Sequence, residues 1–101
     1  MTWRARLGAE AEADIDEALD WYADKAPDQC ARFWSRGRAD IDRIEANPHQ
    51  FPSDGGYRRL AMEVFPYNIW FWINDVDELV HIVGVIHFRR GPEVAASRRD
   101  R

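Results

Sequence analysis

The stretch that decides the fold is Tyr57–Pro92, which reads YRRLAMEVFPYNIWFWINDVDELVHIVGVIHFRRGP. It contains two apolar runs, 66–74 and 78–88, on either side of a short acidic turn. The second run ends abruptly in His87-Phe88-Arg89-Arg90. This pattern predicts a β-hairpin that holds a basic cluster at its end. We therefore expect functional residues at that end or on the aromatic strand beside it.

Alternation in the first apolar run sorts its side chains onto the two faces of a strand. One set is Tyr67, Ile69, Phe71 and Ile73, and the other is Asn68, Trp70, Trp72 and Asn74. If the helices of the protein cover the first set, we expect Trp70 and Trp72 to be exposed as a sticky surface. If the helices cover the second set, the two tryptophans belong to the core. Parity alone does not decide between these alternatives.

The second apolar run, 78–88, is apolar at nearly every position, which indicates a strand covered on both faces. Gly84 within it predicts a β-bulge or a close approach of another group. His81 and His87 have the same parity and are expected on one face. Because no carboxylate or cysteine joins them at ligand spacing, we expect structural or hydrogen-bonding roles for both histidines and no metal or cofactor.

Upstream of this hairpin the sequence predicts a strand at Thr2–Leu7 and then two helices. The first helix starts at Ala9 and the second ends near Asn47, before a proline. The short link between them indicates an antiparallel helical hairpin. Gly37 lies on the apolar stripe of the second helix and predicts close approach of the first.

The remaining segments complete the pattern. The composition of 49–56 is typical of a loop, Tyr57–Val64 is a further strand candidate, and a short tail or helix is expected from Pro92. The predicted fold class is α+β with the order β-α-α-β-β-β, the helical hairpin packing on an antiparallel sheet.

Composition limits the class of protein. A chain of 101 residues with 46% hydrophobic residues is expected to form a single domain, 1–101. Cys30 is the only cysteine, so no internal disulfide can form and a cytoplasmic location is expected. No apolar run is long enough to span a membrane, and the N-terminal residues lack the apolar core of a signal peptide.

The net charge of −4 conceals an asymmetry. Residues 1–56 carry 7 basic and 12 acidic side chains, whereas residues 57–101 carry 7 basic and 6 acidic ones. An acidic protein is a poor non-specific binder of nucleic acid, since that binding scales with the number of phosphates neutralised. We expect the acidic first helix to be a solvated face.

In this order of elements, short motifs resemble the RelE/ParE superfamily of bacterial type II toxin–antitoxin toxins over nearly the whole chain. They are Ala18-Leu19-Asp20-Trp21-Tyr22, Pro27 with Ala31 and Phe33, Asn47-Pro48, Tyr57-Arg58-Arg59-Leu60, Phe65-Pro66-Tyr67 and His87-Phe88-Arg89-Arg90-Gly91-Pro92. The chain is more similar to the ParE branch than to the RelE branch, because an FPY motif is followed by a strand, a turn, a strand and the HFRRGP motif.

The resemblance implies a toxin neutralised by a cognate antitoxin encoded nearby, in systems associated with plasmid stabilization. Operator DNA would be contacted only indirectly, through the antitoxin. ParE-like members inhibit DNA gyrase by protein–protein contact, whereas RelE-like members cleave mRNA in the ribosome. In this chain Asn68 stands where RelE-like enzymes place an arginine, and no tyrosine follows Tyr67. No catalytic residue is therefore predicted. The alternatives to a ParE-like function are a RelE-like ribonuclease and a non-toxic interaction module.

Within this frame two sets of residues are candidates for binding. The target-binding candidates are Arg58, Arg59, His87, Arg89 and Arg90. Arginine suits such a role because its guanidinium pairs with carboxylates and phosphates through two hydrogen bonds. The antitoxin-binding candidates are Trp21, Trp70 and Trp72.

Overall fold

A computed structural model describes residues 3–99 of the chain. Its elements are β1 (Arg4–Leu7), α1 (Ala9–Lys25), α2 (Cys30–Ala46), β2 (Ser53–Asp54), β3 (Tyr57–Ala61), β4 (Tyr67–Asn74), β5 (Leu79–His87) and α3 (Glu93–Arg99). Short 3₁₀ turns lie at Pro27–Gln29 and Pro48–Gln50. The predicted α+β class and the order of its main elements are confirmed. Thr2, the predicted start of the first strand, lies outside the described residues.

The strands form one sheet of five strands in the order β1-β5-β4-β3-β2. The predicted antiparallel meander of β3, β4 and β5 is confirmed. β1 pairs with β5 in the parallel direction, which the sequence did not reveal. The predicted loop at 49–56 contains β2, which turns into β3 through two glycines with positive φ, Gly55 and Gly56. Such a turn suits a two-residue hairpin because glycine adopts positive φ without steric cost.

The helical hairpin of α1 and α2 covers the sheet face that carries Ile69 and Phe71. Its centre is an aromatic cluster of Tyr22, Phe33 and Phe65, whose ring centroids lie 5.1 to 5.4 Å apart. Such tilted and edge-to-face contacts add to the burial of apolar area in stabilising a core. The isoleucine set of β4 is therefore the face beneath the helical hairpin.

The opposite face of the sheet is covered by α3. Ala95 of this helix packs with Trp70 and Ile86, and Trp70 is only 3% exposed. The expectation that the tryptophans are exposed when the helical hairpin covers the other face is wrong for Trp70, because a third helix covers it. Trp72 is half-buried and stacks on His81, with ring centroids 4.1 Å apart.

A β-bulge in β5 changes which face its last residues occupy. Trp70 lies opposite Gly84 and Phe71 lies opposite Ile82, so Val83 is an extra residue. As a result His81 and His87 point to opposite faces, and the predicted shared face is wrong. The expectation for Gly84 is confirmed, because a Cβ there would lie 2.7 Å from Nη1 of Arg98.

The two helices of the hairpin do not touch at Gly37. A Cβ at this position would meet no atom within 4 Å, so the predicted close approach is wrong. A depression lined by residues of both helices lies at this position instead. Within residues 3–99, no helix combines the length and the apolar character needed to cross a membrane.

Candidate partner-binding surfaces

A cleft of about 670 Å³ separates α1 from the end of β5 and the turn that follows it. We call it the charged cleft. Its lining residues are Asp14, Glu17, Ala18, Asp20, Trp21, Tyr22, Asp24, Pro66, Tyr67, Val85, His87, Arg89 and Arg90. The cleft thus joins three of the predicted target-binding residues to Trp21, which was predicted to bind the antitoxin. Trp21 is 54% exposed at its rim.

The basic end of the cleft is held by His87. The N–H of Arg89 donates to Nδ1 of His87 at 3.1 Å, and the N–H of Arg90 donates to the His87 carbonyl oxygen at 2.9 Å. Only an unprotonated Nδ1 can accept the first bond. The ring of His87 also contacts Tyr67 edge to face, with centroids 5.4 Å apart. His87 therefore positions the two exposed arginines through hydrogen bonds, the kind of role that was expected of it.

The facing wall is acidic and belongs to α1. Glu17 and Asp20 are exposed there, and among the described side chains they form no ion pair with Arg89 or Arg90. The two walls of the cleft therefore carry opposite charges. Both walls remain available to a partner that carries charges of both signs.

Asp14 and Arg98 fix α1 against α3 beside this cleft. The guanidinium of Arg98 bonds both carboxylate oxygens of Asp14, at 2.5 and 3.2 Å, and both side chains are about nine-tenths buried. The hydrogen bond to Asp14 raises the pKa of Arg98 against the lowering effect of burial. This ion pair ties the C-terminal helix to the first helix across the edge of the sheet.

Tyr67 contributes a neutral phenol to the cleft. Burial is the main cause that raises the pKa of Tyr67, and the nearby Tyr22 and Glu17 raise it further. The phenol consequently stays protonated at neutral pH. It offers a hydrogen-bond donor rather than a general base.

A second depression is lined by residues of α1 and α2, and we call it the hairpin groove. It measures about 60 Å³ and is lined by Leu7, Ile15, Phe33, Trp34, Gly37, Arg38, Ile41, Met62, Ile69 and Val85. Trp34 stands on its rim and is 58% exposed. An exposed tryptophan beside an apolar groove is typical of a protein–protein interface.

The arginines of β3 lie apart from the basic end of the charged cleft. Arg58 is opposite Phe71, four residues along β4 from Tyr67, which itself lies opposite His87. Four residues of strand span roughly 13 Å. Arg58 donates through Nη1 to the carbonyl oxygen of Phe51 at 2.7 Å, so it anchors the preceding loop. The five target-binding candidates therefore do not form one cluster.

Arg59 and the two β4 tryptophans occupy the other face of the sheet. The Arg59 guanidinium lies 5.7 Å from the centre of the Trp70 ring, in a cation–π contact. Trp70 is covered by α3, whereas Trp72 keeps part of its surface exposed. The three tryptophans predicted to bind the antitoxin are thus divided between the charged cleft and the opposite sheet face.

The hairpin groove and the acidic wall of the cleft were not predicted from the sequence. Trp34 lies on the same apolar stripe of α2 as Gly37, where a close approach of the first helix was predicted instead of open space. The carboxylates of α1 were expected to be only a solvated face. Their position opposite Arg89 and Arg90 follows from the parallel pairing of β1, which is not visible in the local sequence pattern.

Comparisons with known proteins agree with this architecture. The family model described as the ParE toxin of the type II toxin–antitoxin system, parDE, matches residues 5–92. Toxin ParE2 of Mycobacterium tuberculosis, from strains CDC 1551 / Oshkosh and ATCC 25618 / H37Rv, is 34% identical over 94 residues. The matched residues cover 91% of this chain and 88% of the relative.

A solved structure supports the fold independently. The chromosomal ParDE TA system from P. aeruginosa contains a chain that superposes with a TM-score of 0.74 at 19% identity. The match covers 84% of this chain and 95% of that chain. The family match ends at Pro92, so α3 lies beyond the matched residues. The chain belongs to the ParE toxin family of type II toxin–antitoxin systems.

Proposed function

We propose that this chain is a growth-inhibiting toxin that acts in the cytoplasm by protein–protein contact and is neutralised by a cognate antitoxin encoded nearby. The observation that carries the proposal is the charged cleft, in which His87, Arg89, Arg90 and Trp21 are presented together. The similarity of the HFRRGP motif to the ParE branch makes DNA gyrase the first target to test. The arginines would engage carboxylates of the target through charge-assisted hydrogen bonds.

We further propose that the antitoxin binds at the hairpin groove, in place of the surface predicted at Trp21, Trp70 and Trp72. The groove is apolar, and its exposed Trp34 offers a large anchor for an apolar segment of a lasting partner. Arg38 at the same groove would pair with an acidic residue of that segment. This assignment separates the surface that holds the antitoxin from the surface that reaches the target.

Contact is favoured over RNA cleavage by the chemistry of the described residues. Cleavage requires groups that activate a 2′-hydroxyl, stabilise the charged intermediate and protonate the leaving oxygen. Asn68 in β4 is neutral, and Tyr67, the last tyrosine of the sequence, has a pKa raised by burial. Neither is suited to be the base of such a reaction.

Expression of the chain alone tests the proposal. We expect growth arrest, relief by the product of the adjacent reading frame, and loss of supercoiling when purified toxin is added to DNA gyrase. Codon-linked cuts in primer extension on translated messages would instead identify a ribosome-dependent ribonuclease. Harmless expression would identify an interaction module without a target. Unchanged supercoiling at excess toxin would contradict the choice of gyrase.

A further inference from the structure

The edge of β5 beside the charged cleft is only partly covered. β1 pairs with β5 as far as Ile82, so no strand within the described part of the chain borders the edge of residues 83–87. Two side chains satisfy the first part of this edge. Nη1 of Arg98 donates to the Val83 carbonyl oxygen at 3.0 Å, and the N–H of Val85 donates to Oδ2 of Asp14 at 3.0 Å.

Two backbone groups further along this edge face the cleft. The N–H and C=O of one strand residue point to the same side, so the Val85 carbonyl lies on the side of Asp14. The N–H of Phe88 donates to the Pro66 oxygen at 2.9 Å on the β4 side, so alternation turns the His87 N–H toward the cleft. No described residue stands opposite these two groups in the sheet register.

Within residues 3–99, neither the Val85 carbonyl nor the His87 N–H has a hydrogen-bond partner, and this acceptor and donor favour one direction of strand pairing. In a parallel ladder one residue donates to the carbonyl of residue i−1 and accepts from the N–H of residue i+1. The Val85 carbonyl and the His87 N–H match this pattern around Ile86. An antiparallel segment could use the same two groups, but its residues opposite Val85 and His87 would then each turn a second main-chain group toward β5. The Val85 N–H is taken by Asp14, and the His87 carbonyl is taken by Arg90.

We propose that the charged cleft binds an extended segment of the target protein as a short strand parallel to β5. This deepens the proposed function and rests on it, since it supposes a protein target held by contact. Strand addition gives affinity through main-chain hydrogen bonds, while the side chains of the segment give specificity. The wide and charged cleft suits a transient target, whereas the apolar groove suits a lasting partner.

The direction of pairing fixes the chemistry of the bound segment. Arg89 and Arg90 follow His87 in the direction of β5, so they meet the C-terminal end of a parallel segment. Glu17 and Asp20 flank the segment from α1. The site therefore selects a basic side chain in the middle of the segment and an acidic group after it. Trp21 at the rim packs against the aliphatic part of the basic side chain.

A synthetic peptide tests the strand directly with the full chain. The probe is an acetylated heptapeptide of alternating valine and threonine, with one lysine in the middle and two aspartates at a free C-terminus. We expect it to move the backbone amide proton of His87 downfield in nitrogen-15 NMR spectra and to slow its exchange with solvent. N-methylation of the peptide residue that faces Ile86 should weaken binding roughly five- to tenfold, because one main-chain hydrogen bond is lost.

The peptide with the reversed sequence is the matched control, since it has the same composition but presents its aspartates away from Arg89 and Arg90. We expect it to leave the His87 amide unchanged. Equal binding of both peptides would overturn the parallel direction. Absence of any change at His87 with either peptide at millimolar concentration would overturn the strand site itself.

Charge reversal on α1 tests the same site in cells. The double variant Glu17→Lys/Asp20→Lys should reduce growth arrest at least about tenfold in colony counts, in keeping with the loss of an interface contact. The control Glu12→Lys/Asp16→Lys makes the same charge change at exposed positions outside the cleft and should arrest growth like the unaltered chain. The antitoxin should relieve the arrest by the control as fully as it relieves the unaltered chain.

The outcomes separate the strand site from the proposed function. An unaltered chain that does not arrest growth would contradict the proposed function, whatever the peptide does. If the unaltered chain arrests growth and the Glu17→Lys/Asp20→Lys variant is equally potent, the strand site alone is overturned. Loss of antitoxin binding by that variant would show that the antitoxin, not the target, occupies the cleft.

Discussion

The hairpin groove and the charged cleft share α1 as a common wall but differ in size and chemistry. The groove is about 60 Å³ and apolar, with Trp34 at its rim. The cleft is about 670 Å³ and carries opposite charges on its two walls. Ile15 of α1 faces the groove, and Asp20 of the same helix faces the cleft. One amphipathic helix thereby gives the protein two surfaces that suit two kinds of partner.

The two surfaces also differ in the contacts that hold them in place. The walls of the groove belong to the main core beneath α1 and α2. The cleft depends in addition on the buried Asp14–Arg98 pair, which joins α1 to α3. Changes at Arg98 should therefore affect the cleft and the fold, whereas changes at Trp34 should affect the groove alone.

The largest expected effect follows from Arg98→Ala. It leaves Asp14 buried without its cation and the Val83 carbonyl without its donor, so we expect a loss of about 3 kcal/mol in unfolding free energy. Urea denaturation measures it. Arg38→Ala is the control, since its pair with Asp42 is exposed and worth about 0.5 kcal/mol or less. A loss with Arg98→Ala no larger than with Arg38→Ala would contradict the structural role of the pair.

Trp34→Ala should weaken antitoxin binding next most strongly. Removal of an interface tryptophan typically costs about 2 kcal/mol or more, which is about 30-fold in Kd. Because Trp34 is 58% exposed, we expect the folding free energy to change little. Trp21→Ala is the matched control, with a tryptophan that is 54% exposed but lies at the charged cleft. Calorimetric titration with the antitoxin measures the Kd of each variant. An equal loss of affinity in both variants would contradict the separation of the two surfaces.

Asp40 of α2 should show a pH-dependent effect. Its side chain is buried, Oδ2 has no hydrogen-bond partner among the described residues, and burial raises its pKa despite the nearby Arg43. A carboxyl whose pKa is raised on folding binds more protons in the folded state, so stability falls as pH rises through the raised pKa. Asp40→Asn removes this penalty and should add roughly 1 kcal/mol at pH 7.

The gain from Asp40→Asn should shrink as the pH falls through the folded-state pKa and vanish below the unfolded value of about 3.9. Thermal unfolding across this pH range provides the measurement. Asp42→Asn, at an exposed position of the same helix, is the control and should change stability by less than about 0.5 kcal/mol at any pH. A pH-independent effect of Asp40→Asn would rule out the buried charge as its cause.

The smallest expected effect is that of Gly37→Ala. Alanine is favoured over glycine in a helix interior by about 0.5–1 kcal/mol, and a Cβ at this position meets nothing within 4 Å. We therefore expect a gain of about that size in unfolding free energy. A loss of stability would mean that the helices pack closely at Gly37 after all.

Local patterns predicted the elements of the fold well. The alternation in β4, the continuous apolar run of β5 and the helical periodicity of α1 each reflect burial of one defined face. The environment of the second sheet face was ambiguous, because a tryptophan at position 70 suits a buried core and an exposed patch equally well. The C-terminal helix α3 buries this face, since its Ala95 packs on Trp70.

The site was less predictable because it depends on pairing between distant segments. One extra residue at Val83 reverses the face of His87. Gly84 predicted a bulge or a close approach of another group, and this local signal did not decide between the two. The parallel pairing of β1 with β5 brings the carboxylates of α1 opposite Arg90. Such long-range register is set by the whole fold rather than by neighbouring residues.

The most direct test of the two-surface account is growth arrest by Arg89→Ala/Arg90→Ala, measured beside its antitoxin affinity. Both residues are exposed, so each substitution should change stability by less than about 0.5 kcal/mol. We expect growth arrest to be lost, while the melting temperature and the antitoxin Kd stay close to those of the unaltered chain. A double variant that remains fully folded and fully toxic, or one that loses antitoxin binding together with toxicity, would contradict it.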